Sequence, residues 1–355
     1  MTKPLPAPQE APAATPLTWL YVPGDQPGTV AKALGCGADV VVLDLEDAVA
    51  PDRKEYALRA TAELLSDPVP GPAPVHVRVN ALDGPLAEHE IRTLAALPGL
   101  AGLRLPKVQG PADIRRAAGW ATTAAGPLGG PAGGRFAEPV ATPLTAPART
   151  GRLAAGRTAR GPRTVRPGPG TVTATLAPAA GRATRALPAT PALHALLESA
   201  LGIEHAFAIA TAHPALRGIA LGEADLAAEL GVQDEAGLAW PRSRAVVAAR
   251  AAGLAPPPQS VYPDVHDLEG LARSCARGRA MGFLGRAAIH PRQLPVIEAA
   301  HLPSPEEVEA AAEIVRAAAA EGGAQALADG RFVDAAVVAG ARRVLALAAR
   351  GQRRR

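Results

Sequence analysis

Short apolar runs that end in charged residues recur along this chain, and this recurrence limits the fold more than any other feature. Each run has the length and β-branched content of a strand, and a stretch with helical spacing follows it. In order, the runs are VVVLDLED, VHVRVN, LRLPK, ALLES, IALGEAD and RAAIHP. Strands that are apolar throughout, in alternation with helices, are typical of a parallel sheet that is covered on both faces.

Eight strand candidates follow from this pattern, and eight βα units favour closure of the sheet into a (β/α)8 TIM barrel. The candidates lie at 17–22, 39–45, 75–80, 101–106, 193–198, 217–222, 259–263 and 284–289. In such barrels the catalytic groups collect at the C-terminal ends of the strands. The charged residues that end the runs therefore predict an active site at one face of an α/β barrel.

The composition divides the chain into four regions. A Pro/Ala-rich tail covers 1–16 and is expected to be disordered, and the barrel domain covers 17–302. Within the barrel, 125–190 is a long Pro/Gly/Arg-rich insertion that has too little apolar periodicity to fold, so we predict disorder there. A translated frameshift is the alternative origin of this insertion, and resequencing the gene tests it. Beyond the barrel, 303–350 predicts a C-terminal helical lid, which begins with the capping box SPEE.

The basic character of the chain comes from the insertion. The net charge is +4 and the isoelectric point is near 9.4. Residues 121–190 carry nine arginines and one glutamate, so the rest of the chain has a net charge of −4. Nucleic-acid binding by the folded body is therefore not expected; a basic binding segment at 125–190, with a salt-sensitive complex, is the alternative.

No membrane contact is expected from the sequence. No apolar run reaches the roughly 18 residues of a membrane span. The N-terminus, MTKPLPAPQEAPAATP, lacks the apolar core of a signal peptide. These two observations together favour a cytoplasmic protein.

Acidic residues at the strand ends predict a metal site. Glu198 follows ALHALL, and Asp225 follows IALGE. Mg²⁺ prefers oxygen ligands and retains several waters, so two carboxylates can hold it; solvated loop acids or helix caps are the alternative. Asp44, Glu46 and Asp47 crowd another strand end, where they need a cation or a proton between them. We expect Glu46 to act in catalysis from beside the metal.

Other polar residues at the strand ends are candidates for substrate contact. Arg78 lies among valines, where a charge without a partner is costly, so we expect it to clamp a carboxylate; a structural salt bridge is the alternative. Asn80 and Gly24 are expected to contact the substrate, the glycine by allowing a tight turn close to it. Lys107 is expected to have an electrostatic or structural role. His290 suits a general base and a positioned loop residue equally well.

With these residues placed, the chain resembles the HpcH/HpaI aldolase–citrate lyase family. Its likeness is greatest to citrate lyase β-subunit-like (CitE-like) proteins and to malyl- and citramalyl-CoA lyases. The motifs that carry the resemblance are YVPGDQP, VVLDLEDAVAP, VRVN, LPKV, LLESALG, LGEADLAAELG, GFLGRAAIHPRQ and GRFVDAAVV. They span nearly the whole chain apart from the tail and the insertion.

The resemblance implies a Mg²⁺-dependent carbon–carbon lyase in a barrel that forms a homotrimer or a hexamer. Such an enzyme cleaves or condenses a β-hydroxyacyl-CoA, with an acyl-CoA and a 2-oxoacid as products or substrates. Glu198 and Asp225 would bind Mg²⁺, and Arg78 would bind the carboxylate or carbonyl oxygen of the small acid. Asp334, in GRFVDAA, would be supplied to the site of the neighbouring subunit and move a proton at the acyl carbon.

Two alternative functions remain within the same resemblance. A thioesterase would hydrolyse malyl-CoA without releasing an oxoacid. A citrate lyase β-subunit-like protein would act with an acyl-carrier partner, but such a subunit lacks the lid, and the presence of 303–350 argues against it. The chain departs from the family pattern at Leu17-Thr18, where Arg-Ser is common, and at Pro258-Gln259, where Ile-Asp is common. We expect Gln259 to remove a charge near the mouth of the barrel.

Overall fold

The continuously apolar runs form the parallel strands that their composition predicts. The computed structural model describes residues 15–122, 190–320, 325–326 and 330–353. The predicted insertion and most of the predicted tail lie outside the described residues. The elements are β1 (Thr18–Pro23), α1 (Pro27–Leu34), β2 (Val40–Asp44), α2 (Lys54–Leu65), β3 (Val75–Arg78), α3 (Ala87–Leu94), β4 (Leu100–Leu105), α4 (Pro111–Thr122), β5 (Ala192–Leu197), α5 (Ala200–Glu204), α6 (Ala206–Ala210), β6 (Leu216–Leu221), α7 (Glu223–Leu230), α8 (Ala239–Ala251), α9 (Leu268–Ala280), β7 (Arg286–Ala288), α10 (Gln293–His301), α11 (Pro305–Ala320), β8 (Gln325–Ala326), β9 (Phe332–Val333) and α12 (Ala335–Arg353).

Seven parallel strands form the main sheet in the order β6-β5-β4-β3-β2-β1-β7. The first strand thus lies between the second and the last, as it does in a TIM barrel, and the predicted barrel fold is confirmed. The register places Asp44, Arg78 and Arg104 side by side on three successive strands, β2, β3 and β4. The charged residues therefore gather at one end of the sheet, as the sequence predicts.

The prediction of a strand at 259–263 is wrong among the described residues. This segment makes only an isolated parallel bridge, between Gln259 and Arg286 of β7. Pro258 precedes the run and Pro263 is its last residue, and because neither has an N–H to donate, they limit the ladder there. The segment instead approaches the end of β6 through a hydrogen bond of 3.4 Å from the backbone N–H of Glu223 to Ser260 Oγ.

Side chains alternate between two apolar layers, as expected of strands buried on both faces. In β2, Val41 and Leu43 pack into the large cluster under the helices. Val40 and Val42 point to the opposite face, where they pack with Trp19 inside the barrel. The barrel interior therefore holds a small apolar layer below the charged strand ends.

The C-terminal extension consists of α11 and α12, which pack against each other. The predicted capping box is present, because Ser304 N–H donates to Glu307 at 2.8 Å and Glu307 N–H donates to Ser304 Oγ at 3.2 Å. At the far end of α12, Arg350 donates to Asp39, which precedes β2, and to the carbonyl of Thr15. The end of the extension is thus held at the N-terminal side of the strands. No helix in the described parts of the chain has the length and apolarity needed to cross a bilayer.

Candidate active site

A cavity of about 500 Å³ opens at the C-terminal ends of the strands. It brings together three of the predicted site residues, Arg78, Glu198 and Asp225. The other charged side chains in its lining are Asp44, Asp47, Arg104 and Glu223. This location is the one that a barrel enzyme uses for its chemistry.

Glu198 is a buried carboxylate at the end of β5. Its Oε2 accepts a hydrogen bond of 3.1 Å from the backbone N–H of Lys107. Burial, and then the negative charges of Glu46 and Asp225, raise the pKa of Glu198 to about 7. A Cβ on Gly222 would lie 2.3 Å from Glu198 Cγ, so only glycine leaves space for this side chain. The site thus holds a carboxylate whose charge lacks full compensation.

The donor set around Glu198 suits a hard cation. Asp225, in the first turn of α7, is exposed and lines the same cavity. Across the described ranges, no three His, Cys, Asp or Glu residues converge into a metal-binding group. An ion in this cavity would therefore have two carboxylate ligands and would complete its coordination with water or substrate oxygens. Mg²⁺ tolerates that arrangement, whereas structural zinc sites need four protein ligands.

Arg78, at the end of β3, is held by three carboxylates. Its Nε and Nη2 donate to the two oxygens of Asp44 at 2.8 and 2.6 Å. Its Nη1 donates to Asp47 at 3.2 Å and lies 2.9 Å from Glu46 Oε2. The structure thus shows the salt bridge that was the alternative for Arg78, and substrate binding by this side chain stays a prediction.

Glu46 and Lys107 form a second ion pair next to Arg78. Lys107 Nζ donates to Glu46 Oε1 at 2.7 Å, and Glu46 is buried without lining the cavity. Burial raises the pKa of Glu46. For Lys107, burial is outweighed by the hydrogen bond to Glu46, and the pKa rises, so the amine stays protonated. An electrostatic role for Lys107 is consistent with this geometry, and a Schiff base is not.

The backbone at Lys107 is also unusual. Among the described non-glycine residues, only Lys107 has a positive φ, of 51°. That left-handed conformation is unfavourable for a non-glycine residue and persists only where the surroundings hold it. Here it places the backbone N–H on Glu198 and the ammonium on Glu46. One residue thereby links the two buried glutamates.

Asn80 lies in a hydrogen-bond network behind the cavity and is not part of its lining. Its Nδ2 donates to Glu90 Oε1 at 2.5 Å and to the Leu45 carbonyl at 2.9 Å, and its Oδ1 accepts from Lys54 Nζ at 2.8 Å. Lys54 also donates to the carbonyls of Leu45 and Glu46, at 2.8 and 2.6 Å. The network fixes the turn that carries Glu46.

Gly24 also lies outside the lining of the main cavity. Its N–H donates to the Asp44 carbonyl at 2.9 Å, and a Cβ there would lie 2.8 Å from Leu45 Cδ2. It lines a separate cavity between α1 and α2. Gly24 therefore allows β1 to approach the end of β2 closely, and its contact with substrate stays a prediction.

Three further candidates lie away from the cavity or point away from it. Asp334 caps α12 by accepting from the N–H groups of Ala336 and Val337, both at 2.9 Å, and no described residue beyond Ile289 lines the cavity. His290 accepts from the N–H of Arg292 at 3.1 Å, also outside the lining. The side chain of Gln259 packs against α9 and donates to the Ser274 carbonyl at 3.0 Å, although the residue itself lines the cavity.

Sequence reasoning missed Arg104, in β4. This arginine is 2% exposed and lines the cavity beside Arg78. The available signal was its position in LRLPK, one strand after the arginine of VHVRVN and at the same register. Arg78 and Arg104 therefore face the same cavity from adjacent strands.

Comparison with known proteins assigns the chain to a class of enzyme. Residues 248–349 match the family model described as C–C bond lyase of the TIM-barrel fold. Residues 17–291 match the model described as HpcH/HpaI aldolase/citrate lyase. The protein is thus an enzyme of the carbon–carbon lyase class, and the chain belongs to the HpcH/HpaI aldolase/citrate lyase family.

The relatives cover nearly the whole chain but differ in activity. A (3S)-malyl-CoA thioesterase of Cereibacter sphaeroides is 30% identical over 335 residues, which are 93% of each protein. An L-malyl-CoA/beta-methylmalyl-CoA lyase of Rhodobacter capsulatus is 29% identical, covering 92% of this chain and 93% of the relative. The crystal structure of CitE from Mycobacterium tuberculosis, in complex with magnesium, acetoacetate and coenzyme A, is 27% identical. It superposes with a TM-score of 0.66, covering 95% of this chain and 99% of that chain.

Proposed function

We propose that this chain is a Mg²⁺-dependent CoA ester lyase that cleaves or forms a carbon–carbon bond of a β-hydroxyacyl-CoA. Cleavage yields an acyl-CoA and a 2-oxoacid, with malyl-CoA and citramalyl-CoA as model substrates. The observation that carries the proposal is the cavity shared by Glu198 and Asp225, in which the pKa of Glu198 rises to about 7. The lyase of R. capsulatus, at 29% identity, supports the reaction type.

Glu198 and Asp225 are the residues that would hold the metal. The likeness to CitE, whose crystal structure contains magnesium and coenzyme A, supports the choice of ion and of thioester. When bound, Mg²⁺ supplies a Lewis acid that polarises substrate oxygens and stabilises negative charge on them. The hydrogen bond from the Lys107 backbone orients Glu198 for this role.

The substrate reaction is a retro-Claisen cleavage. Loss of the hydroxyl proton to a base allows the bond between the hydroxyl carbon and the α-carbon of the thioester to break. The hydroxyl carbon becomes the carbonyl of the 2-oxoacid, and the electron pair passes to the thioester as an enolate. Arg78 faces the cavity and stabilises this charge as a fixed cation. The partner subunit's Asp334 then gives a proton to the enolate carbon, which completes the acyl-CoA.

The role of Asp334 requires an oligomer, and we propose a homotrimer or a hexamer. Within its own chain, Asp334 is not part of the cavity lining. Arg350 also holds the end of α12 near Asp39, on the N-terminal side of the strands. A lid at 303–350 that serves a neighbouring subunit is compatible with both observations.

Glu46, Asn80 and Gly24 act indirectly in this proposal. Glu46 touches Arg78 and Lys107, so it affects catalysis by positioning these cations. Asn80 and Gly24 hold the backbone at the end of β2, through the carbonyls of Leu45 and Asp44. Their effect on substrate binding therefore passes through the turn that carries Glu46.

Hydrolysis of malyl-CoA is a second candidate function, because a malyl-CoA thioesterase is as similar to this chain as the lyase is. The two reactions share the substrate and differ in the bond that breaks. A lyase releases an oxoacid and retains the thioester, whereas a thioesterase releases free CoA thiol and malate.

The test is a product assay with malyl-, methylmalyl- and citramalyl-CoA, in Mg²⁺ and in EDTA. We expect an oxoacid only in Mg²⁺, and a loss of at least about 1,000-fold in Glu198→Gln and Asp225→Asn, which remove ligands of the stabilising cation. Glu55→Gln, an exposed carboxylate on α2, is the matched control and keeps full activity. Equal activity in EDTA, or in Glu198→Gln, would contradict the proposal.

A further inference from the structure

We propose that Arg104 is a specificity-determining residue that binds a second anionic group of the substrate at the floor of the cavity. The pocket would then prefer a 2-oxoacid with two carboxylates to one with a single carboxylate. The inference rests on the proposed function only for a 2-oxoacid as the ligand. The second carboxylate, which glyoxylate and pyruvate lack, is inferred from the surroundings of Arg104 alone.

Arg104 is a buried cation for which the described part of the chain supplies no counter-ion. It is 2% exposed, and its Nη1 donates to Tyr21 Oη at 3.3 Å. Within the described residues, no carboxylate lies within ion-pair distance of it, and its Nε has no acceptor. An unpaired guanidinium is costly to bury, and its planar donors match a carboxylate, so the cavity beside it is set for an anion.

The aromatic side chains around Arg104 carry no compensating negative charge. The rings of His76 and His194 lie 4.8 Å apart, and burial lowers the pKa of both. Trp19 and Tyr21 present their ring faces at 5.8 and 5.7 Å, a weak interaction that does not cancel a full charge. Compensation for Arg104 must therefore come from the cavity.

Arg78 cannot take this role as readily. It faces the same cavity from the neighbouring strand, but the carboxylates of Asp44, Glu46 and Asp47 already hold it. The donors of Arg104 are not occupied in this way. Leu196, Ala220 and Ala287 give the cavity an apolar wall, and an apolar environment strengthens a guanidinium–carboxylate pair.

The ligand is thus expected to bridge two regions of opposite charge. At the rim, Glu198 and Asp225 favour a cation, which would bind the 2-oxo group and the adjacent carboxylate of an oxoacid. A second carboxylate on the same molecule would then pair with Arg104, which lines the same cavity. A monocarboxylic 2-oxoacid leaves Arg104 unpaired and loses that interaction.

Oxaloacetate and pyruvate test this inference, because they differ by one carboxylate. Calorimetric titration of the full-length protein with each acid in Mg²⁺, without any CoA ester, measures the two dissociation constants. We expect oxaloacetate to bind at least about 10-fold more tightly than pyruvate, because a hydrogen bond to a charged group increases affinity by roughly that factor. In Arg104→Met we expect this ratio to fall to about 1, with pyruvate unchanged. Arg59→Met, an exposed arginine on α2, should keep the wild-type ratio.

An unchanged ratio in Arg104→Met would overturn the inference, as would equal binding of the two acids by the wild type. If Arg104→Met does not fold, Arg104→Lys replaces it: the ratio should then fall below that of the wild type but stay above 1, because lysine keeps the charge and cannot pair bidentately, and an unchanged ratio overturns the inference. The proposed reaction is tested separately, because it fails if the product assay shows no cleavage. If cleavage is absent but Arg104→Met still abolishes the preference for oxaloacetate, the anion subsite at Arg104 is supported without the reaction.

Discussion

Two arginines occupy neighbouring positions in the sheet and have opposite surroundings. Arg78 and Arg104 are paired in the register of β3 and β4, and both line one cavity. Arg78 contacts three carboxylates, whereas Arg104 has none within ion-pair distance among the described residues. A buried charge with partners in the protein therefore stabilises the fold, whereas a buried charge without them is available to bind a ligand of opposite charge.

The same contrast divides the cavity into an acidic rim and a cationic floor. The rim has Glu198 and Asp225, where burial, followed by the charges of Glu46 and Asp225, raises the pKa of Glu198. The floor has Arg104 above the neutral His76 and His194. A cation at the rim and an anion at the floor would together neutralise both.

The largest expected effect is the loss of stability when Arg78 is removed. Arg78→Met leaves the buried Asp44 without its cation and Glu46 with Lys107 alone, and should lower the free energy of unfolding by about 3–5 kcal/mol. Denaturant unfolding measures it. Arg92→Met, which breaks an exposed pair with Glu88, is the control and should cost less than about 1 kcal/mol. A loss below about 1 kcal/mol in Arg78→Met would break the contrast between the two arginines.

A second variant tests the rim. In Gly222→Ala the new Cβ would lie 2.3 Å from Glu198 Cγ, so the carboxylate must move. A displacement of about 1 Å at a reacting centre costs about 100-fold in rate, and we expect turnover to fall by that factor. Gly28→Ala is the control, because nothing lies within 4 Å of its Cβ. If both variants have the same turnover, the position of Glu198 does not limit the reaction.

The pH dependence of stability tests the neutral floor. The pKa of His194 is about 3 in the folded state and about 6.5 in the unfolded state, so between these values the unfolded state binds more protons. The stability that comes from the lowered pKa of His194 is fully present above about pH 6.5 and is lost as the pH falls towards about 3. From pH 8 to pH 5 the wild type should lose about 2 kcal/mol more than His194→Gln does. Parallel pH profiles for the two proteins would show that His194 is not held neutral.

The smallest expected effect is a gain in stability in Arg104→Met. Removal of a buried charge without a counter-ion should raise the free energy of unfolding by about 1 kcal/mol in the absence of ligand. The sign is opposite to that expected for Arg78→Met, and the same denaturant titration measures both. A loss of about 2 kcal/mol or more would mean that Arg104 stabilises the fold as Arg78 does.

The fold could be read from the sequence wherever a run was continuously apolar. Runs such as VVVLD form strands with little ambiguity, and their alternation with helices predicts the barrel. The run at 259–263 contains Val261 and Tyr262 but follows one proline and ends in another, and only Gln259 forms a bridge. Its apolar residues favour a strand, whereas the missing N–H donors of the prolines disfavour one.

The candidate site was predictable in position but not in pairing. Strand ends place Arg78, Glu198 and Asp225 in one cavity, because parallel strands end at the same edge. The sequence does not show which acid faces which arginine, since that depends on register across strands. Arg104 was missed for this reason. The sequence LRLP predicts a strand, but it does not show that the described residues beside Arg104 supply no carboxylate.

The most direct test of the account is to measure both possible products of malyl-CoA cleavage in one reaction. Purified protein is incubated with malyl-CoA and Mg²⁺, and glyoxylate and free CoA thiol are quantified together over time. A lyase is expected to give glyoxylate and acetyl-CoA in equal amounts with no free thiol. Free thiol and malate in equal amounts, without glyoxylate, would contradict the account and assign the chain to thioester hydrolysis.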